Sequence, residues 1–277
     1  MPAQRKKFGE GRSSIVGFGL LMAGALSAYG QSAPQQSTES IQDVDRAKKL
    51  MTQQALWDSG SGPATKLIAK ERSRTKGEQG TAVRYDLVTQ GLPHDLHYTL
   101  VIWPLNGTIQ PVQSGITLTD DGRLICTTKT KADCAPSRPD ADPVIDMAIT
   151  AAKGEPKRFG VISEDQKWKA LATVVAFPNI ATDGSCTLEA LRVIPDNRAV
   201  MIHGKGFPPN AVLAMTSDSA GEVAAASWDV NEHGELVSLV MPQVRGKTEG
   251  TTTIRLKGPE CAPQVRFSWG NSSYHPE

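Results

Sequence analysis

Between residues 65 and 269 the apolar residues recur mainly at every second position, in short runs broken by Gly, Pro, Asp and Asn. Side chains of an extended chain point alternately to opposite faces, so this pattern predicts many strands with one packed and one wet face. The predicted strands fall in two groups. The first covers 65–71, 81–89, 98–103, 115–118, 124–127, 146–151, 158–162 and 167–175; the second covers 186–194, 199–204, 212–216, 224–230, 235–241, 251–256 and 264–269. The alternation is cleanest at the end, where Thr252, Ile254 and Leu256 oppose Thr253, Arg255 and Lys257, and where Val265, Phe267 and Trp269 flank Arg266 and Ser268. Asp121-Gly122, between two runs, tolerates positive φ and predicts a tight hairpin turn. Upstream, Ile41, Val44, Ala47, Leu50, Met51 and Ala55 recur near the helical period and predict one short amphipathic helix ending before Ser59-Gly60-Ser61-Gly62-Pro63. The expected fold class is therefore all-β, two sandwiches in tandem after a short helix.

Composition divides the rest. Residues 1–30 read as a cleavable export signal, because Arg5, Lys6, Lys7 and Arg12 precede an apolar run, 15–29, too short and glycine-rich to span a bilayer. Residues 31–61, opening on a Gln/Ser/Thr/Pro-rich stretch to Ser40, are expected to be a tether carrying the helix. Pro178, Asp183-Gly184 and the weak apolar pattern of 179–185 predict the boundary between a first sandwich, 62–178, and a second, 179–277. Without the leader, the chain keeps 26 Lys+Arg against 28 Asp+Glu, a net charge of −2. That balance gives no concentrated positive field for nucleic acid or anionic lipid. The basic residues Lys66, Lys70, Arg72, Arg74 and Lys76 alternate with Glu71 and Glu78 and are read as a solvated strand face.

Four cysteines follow the leader, and an even number behind an export signal predicts two disulfides, with three possible connectivities. The preferred pairing is Cys126 with Cys134 and Cys186 with Cys261, each inside one expected sandwich. A secreted or periplasmic location follows.

The stretch HGKGFPPNAV, 203–212, raises the question of a phosphate loop. A dinucleotide fingerprint needs a third glycine where Pro209 stands, and a P-loop needs Ser or Thr after Lys205; both fail. The residues fit a structural corner, with Gly204 and Gly206 in special backbone positions, Phe207 plugging a core and Pro208 starting a turn. Asp229-x-Asn231-x-His233-Gly234 imitates half of a calcium loop, but its twelfth position is Val240 rather than Glu. Asp140, Asp142 and Asp146 are a better oxygen-rich metal candidate, with a solvated loop as the preferred reading. No nucleophile motif occurs; His94 and His97 sit beside Asp95 in a turn, His203 at a strand end, His233 in a turn and His275 in the tail, and each reads as a surface or corner histidine rather than a base. No cofactor is expected. Among five tryptophans, Trp57 and Trp168 are the candidates for an exposed stacking surface, while Trp103 and Trp269 read as core.

The order IPDNRAVMIHGKGFPPNAV, MPQVRGKTEGTTTIRL and VRFSW, within 190–269, resembles bacterial immunoglobulin-like domains of the IPT/TIG type, in which a G-x-G-F corner follows the second strand and an aromatic ends the last. It departs from that pattern at Cys186, Cys261, the Pro208-Pro209 pair and Trp269. YDLVTQGLPHDLHYTLVIWPLNG makes the first unit look like a more divergent immunoglobulin-like sandwich. The resemblance implies a fold used for spacing, adhesion or ligand presentation. The expected function is thus a non-enzymatic exported protein that binds a surface, a polysaccharide or a protein through loops or edge strands. The alternatives are a hydrolase with carboxylates converging between the sandwiches, and a structural spacer.

Overall fold

The structure is a computed structural model that describes residues 38–58, 60–61, 64–105, 107–126, 144–271 and 273–277. The described residues belong to one compact unit, Thr38–Glu277, built from one helix and four antiparallel sheets. Helix α1, Thr38–Asp58, opens inside the stretch expected to be tether, since helix propagation adds a hydrogen bond for each residue fixed. Its buried stripe runs through Ala47, Gln54 and Trp57, with Leu50 and Met51 half-buried, and leaves Ala55 exposed.

The first two sheets have the orders β1–β2–β6 and β5–β4–β3–β7–β8. Their strands are β1 Lys66–Gly77, β2 Gly80–Gln90, β3 Tyr98–Trp103, β4 Gln110–Leu118, β5 Leu124–Cys126, β6 Asp146–Ile149, β7 Pro156–Ser163 and β8 Lys169–Val175. Both sheets bury alternate side chains in one core, where Val83, Tyr85 and Leu87 of β2 meet Leu100, Ile116, Phe159 and Val161. Tyr98 is fully buried and its hydroxyl donates to Pro93 O at 2.6 Å. Burial pushes its pKa up to about 12, with Asp95 and Asp165 adding to the rise.

The other two sheets have the orders β14–β11–β10–β9 and β13–β12–β15–β16. They comprise β9 Ile180–Asp183, β10 Cys186–Arg192, β11 Val200–Lys205, β12 Val212–Ser219, β13 Glu222–Asp229, β14 Leu236–Val240, β15 Glu249–Lys257 and β16 Gln264–Gly270. Their shared core holds Leu188, Ile202, Phe207, Leu213, Ile254, Leu256, Val265 and Phe267. The disulfide Cys186–Cys261, expected from the cysteine pattern, bridges β10 to the loop before β16 and so ties sheet to sheet, with 6.2 Å between Cα atoms.

Strand β4 opens at Gln110 rather than 115 and β12 runs to Ser219 rather than 216, and two further segments differ from the sequence expectation. The segment 179–185, expected to be an irregular boundary, is a hairpin: β9 pairs with β10, Cys186 opposite Asp183, around Gly184 at φ 57°. Strand β1 runs to Gly77 rather than Glu71, because its distal half is held by pairing with β2 alone and buries nothing.

Helix and tail close the seam between the two cores. Gln54 Nε2 donates to Val193 O at 3.2 Å, while Gln54 Oε1 faces Arg158 Nη2 at 3.4 Å. The C-terminal residues run back from the second core to the first, where Glu277 N donates to Ala151 O and Pro276 bridges Ala152.

Candidate functional site

In the stretch 203–212 the glycines and Phe207 are tightly enclosed. Gly206 adopts φ 76°, and a Cβ there would lie 2.1 Å from Ser185 O. A Cβ on Gly204 would meet Phe207 and Leu236, both at 2.8 Å. Phe207 is buried, and Ala211 N donates to Pro208 O, which turns the chain into β12. A strand, not a helix, follows, so no helix N-terminus offers amides to an anion.

The ionisable groups are dispersed or paired. Among the described residues no group of three His, Cys, Asp or Glu is placed to hold a metal ion. Asp146 of the acidic candidate sits in β6 opposite Asp86, where Arg72 bonds both carboxylates (2.6 and 3.1 Å) and Arg84 bonds Asp146 at 3.0 Å. Both guanidiniums bond the same oxygen, Asp146 Oδ2, and offset the carboxylate's charge. Asp140, Asp142 and Cys134 lie outside the described residues; Cys126, at the end of β5, is disulfide-bonded. In the calcium-like stretch, Asn231 Oδ1 accepts from the backbone N–H of His233 and of Glu235, both at 2.9 Å, and is spent on a turn.

The carboxylate buried at the seam is Glu155, which accepts from Ala152 N at 2.9 Å and from Lys157 Nζ at 2.6 Å. Nearby, the buried Arg192 donates to Lys153 O, Pro195 O and Ser273 O and lies 5.9 Å from the Tyr274 ring. This is the hydrogen-bonding of a structural lock, with every partner already engaged. His203 and Glu189 form a half-buried cross-strand pair. Burial pulls the His203 pKa down and pushes that of Glu189 up, in each case by disfavouring the charged form. The exposed His94 and His97 share the loop between β2 and β3, His233 lies in the turn before β14, and His275 in the tail.

Trp57, expected to be exposed, is buried at 7% and packs 5.5 Å from Trp103 with Arg158 beside it. It is the C-terminal end of the helix's packed stripe and offers no stacking face. Trp168 remains 40% exposed on the loop before β8.

The sheet edges carry the sharper signal. A free edge presents unpaired N–H and C=O groups, and proteins protect such edges with charge, brevity, irregularity or covering groups. Strand β1 carries Lys66, Lys70, Arg72, Arg74 and Lys76 and a register shift between Glu71 and Ser73. The edge of β8 is covered, as Ser61 Oγ bonds both Leu171 N and Leu171 O and Thr65 donates to Lys169 O. That of β16 is capped by the side-chain amides of Asn179 and Asn197 on Arg266 O and Ser268 O. Strands β5, β6, β9 and β14 have three, four, four and five residues.

Strand β13, sequence EVAAASWD, has none of these protections. It is eight residues long, pairs only with β12, keeps one unbroken register and carries charge only at its ends. Val223 is 75% exposed, and the alanines at 224, 225 and 226 are exposed on both faces of the strand. Beside it a shallow groove of ≈ 170 Å³ is lined by Glu222, Val223, Ala224 and the segment Val240 to Val244. The hydrogen-bond phase identifies the free groups. Ala220 N donates to Thr251 O, and Val230 N to Ala211 O, so Leu213, Met215, Ser217 and Ser219 of β12 bond β13. By alternation, Val223, Ala225, Ser227 and Asp229 direct their N–H and C=O away from the sheet. The sequence pattern marked the strand but not its edge, since edge position depends on which distant strands pair.

No protein-family model and no curated protein sequence matches this chain. Similar solved structures include a tetra-tandem repeat in the extending region of a large adhesion protein, at 12% identity and TM-score 0.24 over 74% of this chain and 49% of that one. Another belongs to a structural study of host cell surface retention of a 1.5-MDa bacterial ice-binding adhesin, at 10% identity and TM-score 0.21, over 76% and 65%. The chain thus spans about half of the first of these structures and less than two thirds of the second.

Proposed function

We propose that this chain is an exported, non-enzymatic protein of two immunoglobulin-like sandwiches, the second of IPT/TIG type, that binds a protein partner by adding a strand to β13. The exposed, uncharged edge of β13 carries this reading, because main-chain hydrogen bonds along such an edge supply affinity without a preformed pocket. The disulfide Cys186–Cys261 supports an oxidising compartment outside the cytoplasm. Among the described residues no helix is long and apolar enough to cross a membrane. The seam locked by Arg192, Gln54 and the C-terminal residues suits a mount that holds the edge at a fixed orientation.

The test is a single backbone atom. Ala225→Pro removes an N–H that points away from β12 and leaves the β12–β13 ladder intact. Immobilised wild-type protein should capture a protein from its own envelope fraction, and the Ala225→Pro variant, equally folded by circular dichroism, should lose that capture. Equal capture by both would sink the edge reading.

A further inference from the structure

Resting on that reading, we infer that the strand added to β13 is the β13 of a second copy, paired antiparallel about a two-fold axis at Ala226. The strand is self-complementary in this register. All four outward-directed residues pair, Val223 with Asp229 and Ala225 with Ser227 of the other copy and the reciprocal two, each pair exchanging two backbone hydrogen bonds. No other register in which outward-directed residues face each other pairs all four. The charges agree as well. Glu222 and Asp229 are the strand's only ionisable residues. In this register each faces a valine, Asp229 against Val223 and Glu222 against Val230 just beyond the strand, so no like charges stand opposite one another.

The side chains on the groove side also match. Ala226 meets its own copy, and Trp228, half-buried in the second core, stands across from Ala224, which lines the groove. The small Ala224 and Ala226, both exposed, leave the indole room on this face. An isologous contact of this kind closes on itself, which uses up both free edges and prevents further growth into a fibre.

Cysteine cross-linking reads the register. Ala226 forms a non-hydrogen-bonded pair with its own copy, where Cα atoms approach to about 4.5 Å, inside the range a disulfide spans. Ala226→Cys should therefore oxidise to a covalent dimer with the native disulfides intact, and sedimentation velocity should show a wild-type dimer and a monomeric Ala225→Pro variant. Ala224→Cys is the control, since its copy would lie four residues along the strand, roughly 13 Å away, and should cross-link at least about tenfold more slowly. Equal cross-linking at 224 and 226, or a wild-type monomer, overturns the self-pairing. If the chain is monomeric and Ala225→Pro still abolishes envelope capture, the second-copy inference falls and the binding edge stands. If that variant changes neither, both fall.

Discussion

Single backbone positions decide how the second sandwich turns. At Gly206 the φ of 76° and the 2.1 Å approach of a built Cβ to Ser185 O exclude any side chain without movement of the β9–β10 turn. Left-handed backbone costs an ordinary residue about 1–2 kcal/mol, and the clash with a backbone carbonyl adds to it. Gly206→Ala should lose about 3 kcal/mol of unfolding free energy in urea titration, whereas Gly184→Ala, where nothing lies within 4 Å of the added Cβ, should lose only about 1 kcal/mol for its φ of 57°. Equal losses at the two sites would refute the steric part of the argument. The corner was legible in the sequence because glycine, phenylalanine and proline each have a local reason to be there. Trp57 was not, because the residues packed against it, Trp103 and Gly160, come from strands far along the chain.

At the scale of elements, strands with one packed face announced themselves. Strands β15 and β16 alternate cleanly because Ile254, Leu256, Val265, Phe267 and Trp269 all point into the core. The distal half of β1 and the hairpin strand β9 stayed hidden for the same reason inverted: almost none of their side chains is buried, so no period of two is imposed on them. Element pairing across the sandwich is reinforced covalently by Cys186–Cys261, which closes a loop of sequence separation 75. In the chain-entropy model such a loop contributes about 4 kcal/mol by restricting the unfolded chain. Replacing both cysteines by alanine should therefore lower the unfolding free energy by about 4 kcal/mol in denaturant titration, with the β-type circular dichroism spectrum retained before the transition. A loss below about 1 kcal/mol would show that the bridge does not constrain the unfolded ensemble as supposed.

Across the whole molecule, the seam between the two cores combines hydrogen bonds with a small apolar cluster of Ala47, Val193 and Ala199 under the helix, and Arg192 is a hub of its hydrogen bonds. Burial pulls its pKa down, while Glu155, Tyr274, Asp196 and Glu277 oppose the shift by favouring the cation. Its guanidinium satisfies carbonyls of Lys153 before β7, Pro195 after β10 and Ser273 in the tail, segments that the backbone bonds Glu277 N to Ala151 O and Gly270 N to Asp196 O also draw together. Removing it leaves the buried Ser273 O and two part-buried carbonyls unpaired, at about 1–3 kcal/mol for a fully desolvated group. Arg192→Ala should therefore cost about 3–5 kcal/mol, and the cost should fall on the coupling more than on either core. Calorimetry of the wild-type chain is expected to give one transition, and the variant two, as each sandwich melts with its own hydrophobic interior. Arg192→Lys keeps the charge but cannot reach three separate carbonyls in one plane, so it should lie between the two. Because β13 and the strand it pairs with belong wholly to the second core, Arg192→Ala should leave β13 self-pairing intact. A single transition at unchanged temperature in Arg192→Ala would show that the seam is held by something other than this guanidinium.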